Sequence, residues 1–159
     1  MKKLCYQTLQ ENGYDGYLLK NAPERVIQFG EGNFMRAFVD YFIDRMNEEA
    51  GFNSKVVLVQ PIAPIPGAFD LKDAVNEQEG LYTLYLRGSE DGQKVNRKRI
   101  ISCVSRCLNS YTDFDEVLKC AENPAIRLFS CNPTEAGITY EAKFMCTDRT
   151  AESYQGKIK

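Results

Sequence analysis

Gly30 and Gly32 are the residues of this chain whose type and spacing point most directly to chemistry. They follow a short apolar run, Val26-Ile27-Gln28-Phe29, and precede a long helical pattern that opens at Asn33-Phe34. A strand that turns through closely spaced glycines into a helix leaves backbone N–H groups free at the positive end of the helix dipole, where a phosphate binds. Dinucleotide-binding folds begin this way. The fingerprint is incomplete in two places. The third glycine is expected at position 35, where this chain has Met35, and the acid that would accept from a ribose at the end of the second strand is Gln60, followed by Pro61. Pattern alone leaves a nucleotide site and a structural glycine turn both open. A methyltransferase-like fold that binds S-adenosylmethionine would present the same unit.

Composition narrows the other chemistries. The chain holds no histidine, so no Ser-His-Asp or Cys-His arrangement exists within it. Any acid or base must be Lys, Tyr, Asp, Glu or Cys, or must lie elsewhere. The six cysteines (Cys5, Cys103, Cys107, Cys120, Cys131, Cys146) include no Cys-x-x-Cys pair, and a structural zinc site has no support. Four of them sit in apolar or amphipathic stretches, and all six read as reduced thiols. Asn132, Thr134 and Glu135 fall where a buried strand ends, on the edge of a parallel sheet that binds ligands. The competing reading makes Thr134 a helix N-cap and Glu135 a favourable charge on the helix dipole. Arg36 with Asp40 reads as an i,i+4 surface pair. A net charge of −2 argues against a protein that grips nucleic-acid phosphates, and the cluster Lys94, Arg97, Lys98, Arg99 reads as a solvated hairpin.

The elements that must position these residues follow from periodicity. At 159 residues, 43% hydrophobic and 26% charged, the chain is long enough to bury a real core as one soluble domain. No apolar run is long enough to span a bilayer, and polar residues interrupt any signal-peptide core, so the cytoplasm is the expected compartment. Residues 1–22 read as a polar lead-in and 23–159 as a single domain. A strand is expected over 25–29 and a helix over 33–49 that is apolar almost all round. On that helix Arg36, Asp40 and Asp44 recur every four positions as one narrow wet stripe. The β-branched run Lys55 to Gln60 reads as a second strand buried on both faces, completing a right-handed βαβ unit. A Pro-rich loop (61–67) and a short helical segment (71–79) follow. Strands over 81–86 and 95–104 make a hairpin through 88–92, and a helix over 113–121 and a strand over 126–131 come last. The expected class is α/β: a Rossmann-like domain with a mostly parallel sheet and an added β-hairpin.

Several stretches together resemble a known family. They are 23–40 around Phe29-Gly30-Glu31-Gly32-Asn33-Phe34-Met35-Arg36, then Val56-Val57-Leu58-Val59-Gln60-Pro61-Ile62, 76–84, Arg87-Gly88, 104–106, 121–124, Thr134-Glu135-Ala136-Gly137-Ile138 and Ser153-Tyr154. In series they resemble the opening domain of the mannitol dehydrogenase family of long-chain polyol dehydrogenases, and within it the tagaturonate reductases. The resemblance implies a Rossmann-like domain that binds NAD. The cofactor-binding residues it implies are Phe29, Gly30, Glu31, Gly32, Asn33, Phe34, Arg36, Gln60, Thr134 and Glu135. It implies hydride transfer between nicotinamide and the C5 keto carbon of D-tagaturonate, giving D-altronate, in hexuronate catabolism. In such enzymes a separate helical C-terminal domain carries the Lys and His that polarise the carbonyl and move the proton. The chain stops at Lys159, so no catalytic residue and no metal site is expected within it. A sugar acid is the expected partner of the full-length enzyme, with neither nucleic acid nor membrane, and self-association is expected through apolar surface left uncovered. Gln60 matches the equivalent position of these enzymes, and the absence of a basic neighbour favours NAD over NADP. Pro133 stands where Thr is expected. A related fructuronate or mannitol dehydrogenase, or a non-catalytic nucleotide-binding module, stays open.

Overall fold

The computed structural model describes residues 3–133. After a short helix α1 (Tyr6–Glu11), β1 (Glu24–Phe29) runs parallel to β2 (Lys55–Gln60) across the long helix α2 (Asn33–Ala50), with Ile27 opposite Val57 and Phe29 opposite Val59. Helix α3 (Leu71–Glu77) and an antiparallel hairpin of β3 (Tyr82–Glu90) and β4 (Gln93–Ile101) come before the chain re-enters the sheet at β5 (Val104–Asn109). Helix α4 (Phe114–Glu122) then leads to β6 (Leu128–Cys131). The main sheet is parallel throughout, in the order β5-β2-β1-β6. That is the first half of a doubly wound sheet together with the strand beyond its switch point, so the crevice lies between the carboxyl ends of β1 and β6.

Alternation along the strands makes three layers. Val26, Val56, Leu58 and Val104 meet Ile43 of α2 and Val75 of α3 on one face. Ile27, Phe29, Val57, Val59 and Leu108 meet Val117 and Cys120 of α4 on the other. Burial on both faces is why β2 reads as an unbroken β-branched run. The hairpin closes through Asp91-Gly92, both at positive φ (51° and 78°), a two-residue turn whose twist suits antiparallel strands. Its base joins the main core through Tyr82 and Ile101. The segment before β1 also packs down: Leu9 of α1 clusters with Leu81 and Ile100. The buried Lys55 donates to the carbonyl of Ser102 (2.5 Å) and to the Tyr6 hydroxyl (3.2 Å). Among the described residues no helix is long and apolar enough to cross a membrane.

Four sequence expectations are corrected. The single strand over 95–104 is two strands in different sheets, because the buried Ser102 gives its N–H to Asp44 (2.9 Å) rather than to a ladder. The wet stripe of α2 is in fact its most buried one: Asp40 and Asp44 are 0% exposed, whereas Phe34, Phe38 and Phe42 are 58, 52 and 50% exposed. The hairpin explains the reversal. Arg99 of β4 reaches Asp44 (Nη2 to Oδ2, 2.5 Å), and Tyr82 of β3 places its hydroxyl 3.1 Å from Asp40, so the acids have partners inside. The aromatic rings are left to stack on each other along the outer face, Phe34 on Phe38 at 5.4 Å and Phe38 against Phe42 at 4.9 Å. Arg99 therefore leaves the solvated cluster expected of Lys94 to Arg99, while Arg97 remains at the surface with Glu90. Finally, Arg36 does not act as a surface partner of Asp40. Its guanidinium turns back to the glycine turn.

Candidate functional site

The turn after β1 is anchored at its first residue. Gly30 donates its N–H to the carbonyl of Val59 (2.9 Å), and its φ of +112° is a conformation that L side chains rarely adopt. Gly32 is the N-cap of α2 in extended geometry, and no side chain caps the helix. A Cβ added at Gly32 would meet nothing within 4 Å. An uncapped amino end of an 18-residue helix, faced by a glycine with open space over it, is a cradle that admits a phosphate to the backbone amides. At position 35 the missing glycine has a physical substitute. Met35 is buried, and its Cγ lies 3.9 Å from where a Cβ of Gly30 would be, so a flexible side chain fills the space beneath the turn.

Arg36 braces the turn from the first turn of the helix. Its Nε donates to the carbonyl of Glu31 (2.8 Å) and its Nη2 to Oδ1 of Asn33 (2.7 Å). The guanidinium also lies over the ring of Tyr82, 5.5 Å from the centroid. Beneath the turn, the fully buried Gln28 donates its amide to the carbonyl of Gly30 (3.2 Å). Gln60, at the end of β2, is held by the amide of Asn109, which donates to Gln60 Oε1 (2.8 Å) and to the carbonyl of Ile62 (2.9 Å). A cleft of about 120 Å³ opens beside it, bounded by Glu31, Gln60, Ile62, Ile65, Phe69 and Asp70. Burial pushes the Glu31 carboxyl above its ordinary range, against hydrogen bonds from the backbone and from Gln60. With Glu31 and Asp70 on its rim, this cleft presents carboxyl oxygens that can accept from hydroxyl groups.

The sequence-predicted residues thus divide. Gly30, Glu31, Gly32, Asn33, Arg36 and Gln60 gather at the carboxyl edge of the sheet. Phe29 packs into the α4 face of the core, with its ring 5.2 Å from that of Phe129. Phe34 opens the exposed aromatic stripe of α2. Thr134 and Glu135 lie outside the described residues. Gln28, Tyr82, Asp70 and Asn109 were not singled out by sequence reasoning, and Asp40 was read only as a surface residue beside Arg36. Their roles depend on strand register and on the hairpin, which no local pattern encodes. Burial raises the Cys103 thiol well above the ordinary range and pushes Cys107 up to about 12, so neither is a ready nucleophile. Among the described residues no cluster of three or more His, Cys, Asp or Glu could hold a metal ion.

Known enzymes resemble this chain in sequence and in fold. The altronate oxidoreductase of Bacteroides thetaiotaomicron is 47% identical over 136 residues, covering 86% of this chain and 27% of that protein. That of Bacillus subtilis is 40% identical over 152 residues, covering 96% and 30%. Among solved structures, Pseudomonas fluorescens mannitol 2-dehydrogenase in ternary complex with NAD and D-mannitol superposes with a TM-score of 0.70 at 26% identity, covering 86% of this chain and 27% of that one. The chain therefore spans less than a third of the length of these relatives. The family model described as the mannitol dehydrogenase Rossmann domain matches residues 24–152, and the chain belongs to that family.

Proposed function

We propose that this chain is the NAD-binding portion of an oxidoreductase that interconverts D-tagaturonate and D-altronate. The observation that carries the reading is the uncapped amino end of α2 behind Gly32, set at the switch point of a sheet whose chain resembles altronate oxidoreductases along most of its length. The diphosphate would lie on the α2 amides, with Gly30 and Gly32 giving it room and Arg36 keeping the turn rigid. Gln60 would meet the adenosine ribose, and Glu31 and Asp70 disfavour the extra phosphate of NADP. When bound, the cofactor supplies the hydride. Thr134 and Glu135 are assigned to the same site by resemblance. With no histidine in the chain, the groups that move the proton are assigned to the remainder of the longer enzyme, together with the sugar-acid site.

Titrating NADH against the chain by nicotinamide fluorescence tests this. Wild type is expected to bind, and Gly32→Val to bind about tenfold or more weakly while still folding, because an added Cβ meets nothing within 4 Å. Neither form should turn over tagaturonate. Equal affinity of the two forms for NADH would remove the glycine turn from the site.

The same reading accounts for the outer face of α2. Phe34, Phe38, Phe42 and Met46 form an exposed apolar stripe, and Leu128 and Phe129 are exposed on β6. We assign this surface to contacts that the chain alone leaves open, and expect concentration-dependent self-association of the isolated chain by light scattering. Replacing Phe38 and Phe42 by Glu should restore a monomer. A clean monomer for wild type at high concentration would refute the assignment.

A further inference from the structure

We propose that Asp40 is a neutral carboxylic acid that donates its proton to the Tyr82 hydroxyl, and that the relay from Asp40 through Tyr82 to the Arg36 carbonyl positions the first turn of α2 for the dinucleotide. This rests on the reading of the glycine turn as the cofactor site. The argument begins with hydrogen counting. The Tyr82 hydroxyl lies 2.8 Å from the carbonyl oxygen of Arg36 and 3.1 Å from Oδ2 of Asp40. A hydroxyl has one hydrogen to give, and a backbone carbonyl can only accept. If that hydrogen goes to the shorter contact, the longer one is a hydrogen bond only when the carboxyl is the donor. An ionised Asp40 would instead compete with the Arg36 carbonyl for one hydrogen. It would also keep its other oxygen, Oδ1, buried with no partner.

The contrast with Asp44, one turn further along the same helix, supports this assignment. Asp44 is equally buried, yet its Oδ2 faces the Arg99 guanidinium and its Oδ1 accepts from the N–H and hydroxyl of Ser102. Among the described residues none gives the Asp40 carboxyl a cation in contact or a backbone donor. The groups that face it are Arg36 and Asp44 on α2, Tyr82 from β3, Gln28 from β1 and the Cys103 thiol between β4 and β5, which donates to the Asp40 carbonyl (3.3 Å). Burial outweighs the opposing influence of Tyr82, Arg36 and Gln28 and pushes the Asp40 carboxyl up to about 7. Since the folded form holds the proton more tightly, Asp40 stabilises the fold most below its ordinary value of 3.8, and that contribution is lost as the pH rises to about 7. The link to the site is covalent and short. The carbonyl that Tyr82 holds belongs to Arg36, whose side chain braces Glu31 and Asn33, and Gln28, beside Asp40, holds the carbonyl of Gly30. An anionic diphosphate at this helix end disfavours a negative charge on Asp40, so its binding favours the protonated acid.

Two measurements on the 159-residue chain test the proposal. In ¹³C NMR of the carboxyl carbons, one carboxyl absent from Asp40→Asn should titrate near neutral pH in wild type, and Asp40 already ionised at about pH 5 overturns the neutral acid. In NADH titrations, wild-type affinity should fall about threefold to tenfold between about pH 6 and pH 8.5. Asp40→Leu should lose about tenfold, and Asp40→Asn, which keeps an N–H donor toward Tyr82, should regain most of that loss with a flat pH profile. An Asp40→Asn profile that follows wild type overturns the positioning role. Wild type that binds no NADH at any pH overturns the cofactor reading and the positioning role with it, while the NMR titration still decides where the proton sits.

Discussion

Asp44→Ala is expected to destabilise the chain by about 3–5 kcal/mol, the range for removing one partner of a buried ion pair, and so to lower Tm by about 10 °C. The carboxylate is wholly buried and accepts from Nε and Nη2 of Arg99 (2.8 and 2.5 Å) and from the N–H and hydroxyl of Ser102 (2.9 and 3.2 Å). Alanine leaves all of those donors without their acceptor. Arg99 keeps one contact, from Nη1 to Glu48 (2.7 Å), but the Ser102 N–H lies where neither strand ladder continues. Replacing both ends together, Asp44→Leu with Arg99→Met, should recover the part of the loss that comes from an unpaired Arg99, while the Ser102 N–H and hydroxyl stay without their acceptor. A loss below about 1 kcal/mol in chemical denaturation would place this pair with exposed ones and remove the reason for the reversed face of α2.

Gly80→Ala is the second large effect. Gly80 sits at φ +77° between α3 and β3, donating its N–H to the carbonyl of Val75 (2.9 Å). A Cβ there would lie 2.3 Å from the carbonyl oxygen of Val104, the first residue of β5. Backbone strain and a clash with backbone that cannot swing away act together, for a cost of about 3 kcal/mol. The comparison is Gly92→Ala at the tip of the hairpin, where φ is similar (+78°) and nothing lies within 4 Å of the added atom. That variant bears the conformational term alone, about 1 kcal/mol. If the two substitutions cost the same in thermal melts, the close approach of Gly80 to Val104 carries no weight.

Much of the frame was legible in the sequence because it rests on local signals. The strand before Gly30, the helix opened by Asn33 and closed at Gly51, and the β-branched run from Lys55 to Gln60 fall within a residue or two of their expected limits. The break at Ser102 and Cys103 was not legible. Both sides are apolar and extended, and what divides them is a carboxylate 58 residues earlier in the chain. The direction of the α2 stripe was hidden for the same reason. Period 3.6 gathers Arg36, Asp40 and Asp44 on a line but does not say which way the line faces. Nine apolar side chains around the helix made the acids look like its only wet edge, until Arg99 and Tyr82 arrived from the hairpin. At the site, Gly30, Gly32 and Gln60 announced themselves by type. Gln28, Asn109 and Tyr82 matter through register and long-range packing, which single positions do not carry.

The hairpin has a consequence for cooperativity. Its two strands share no ladder hydrogen bond with the parallel sheet, yet Tyr82 and Ile101 belong to the same apolar cluster as Val26, Val56 and Leu58, and Asp44 is tied to both Arg99 and Ser102. Two sheets that would otherwise melt separately are thereby joined into one unfolding unit. The outer end of the hairpin, residues 87–94, is exposed, whereas its base is expected to open only together with the core it packs against.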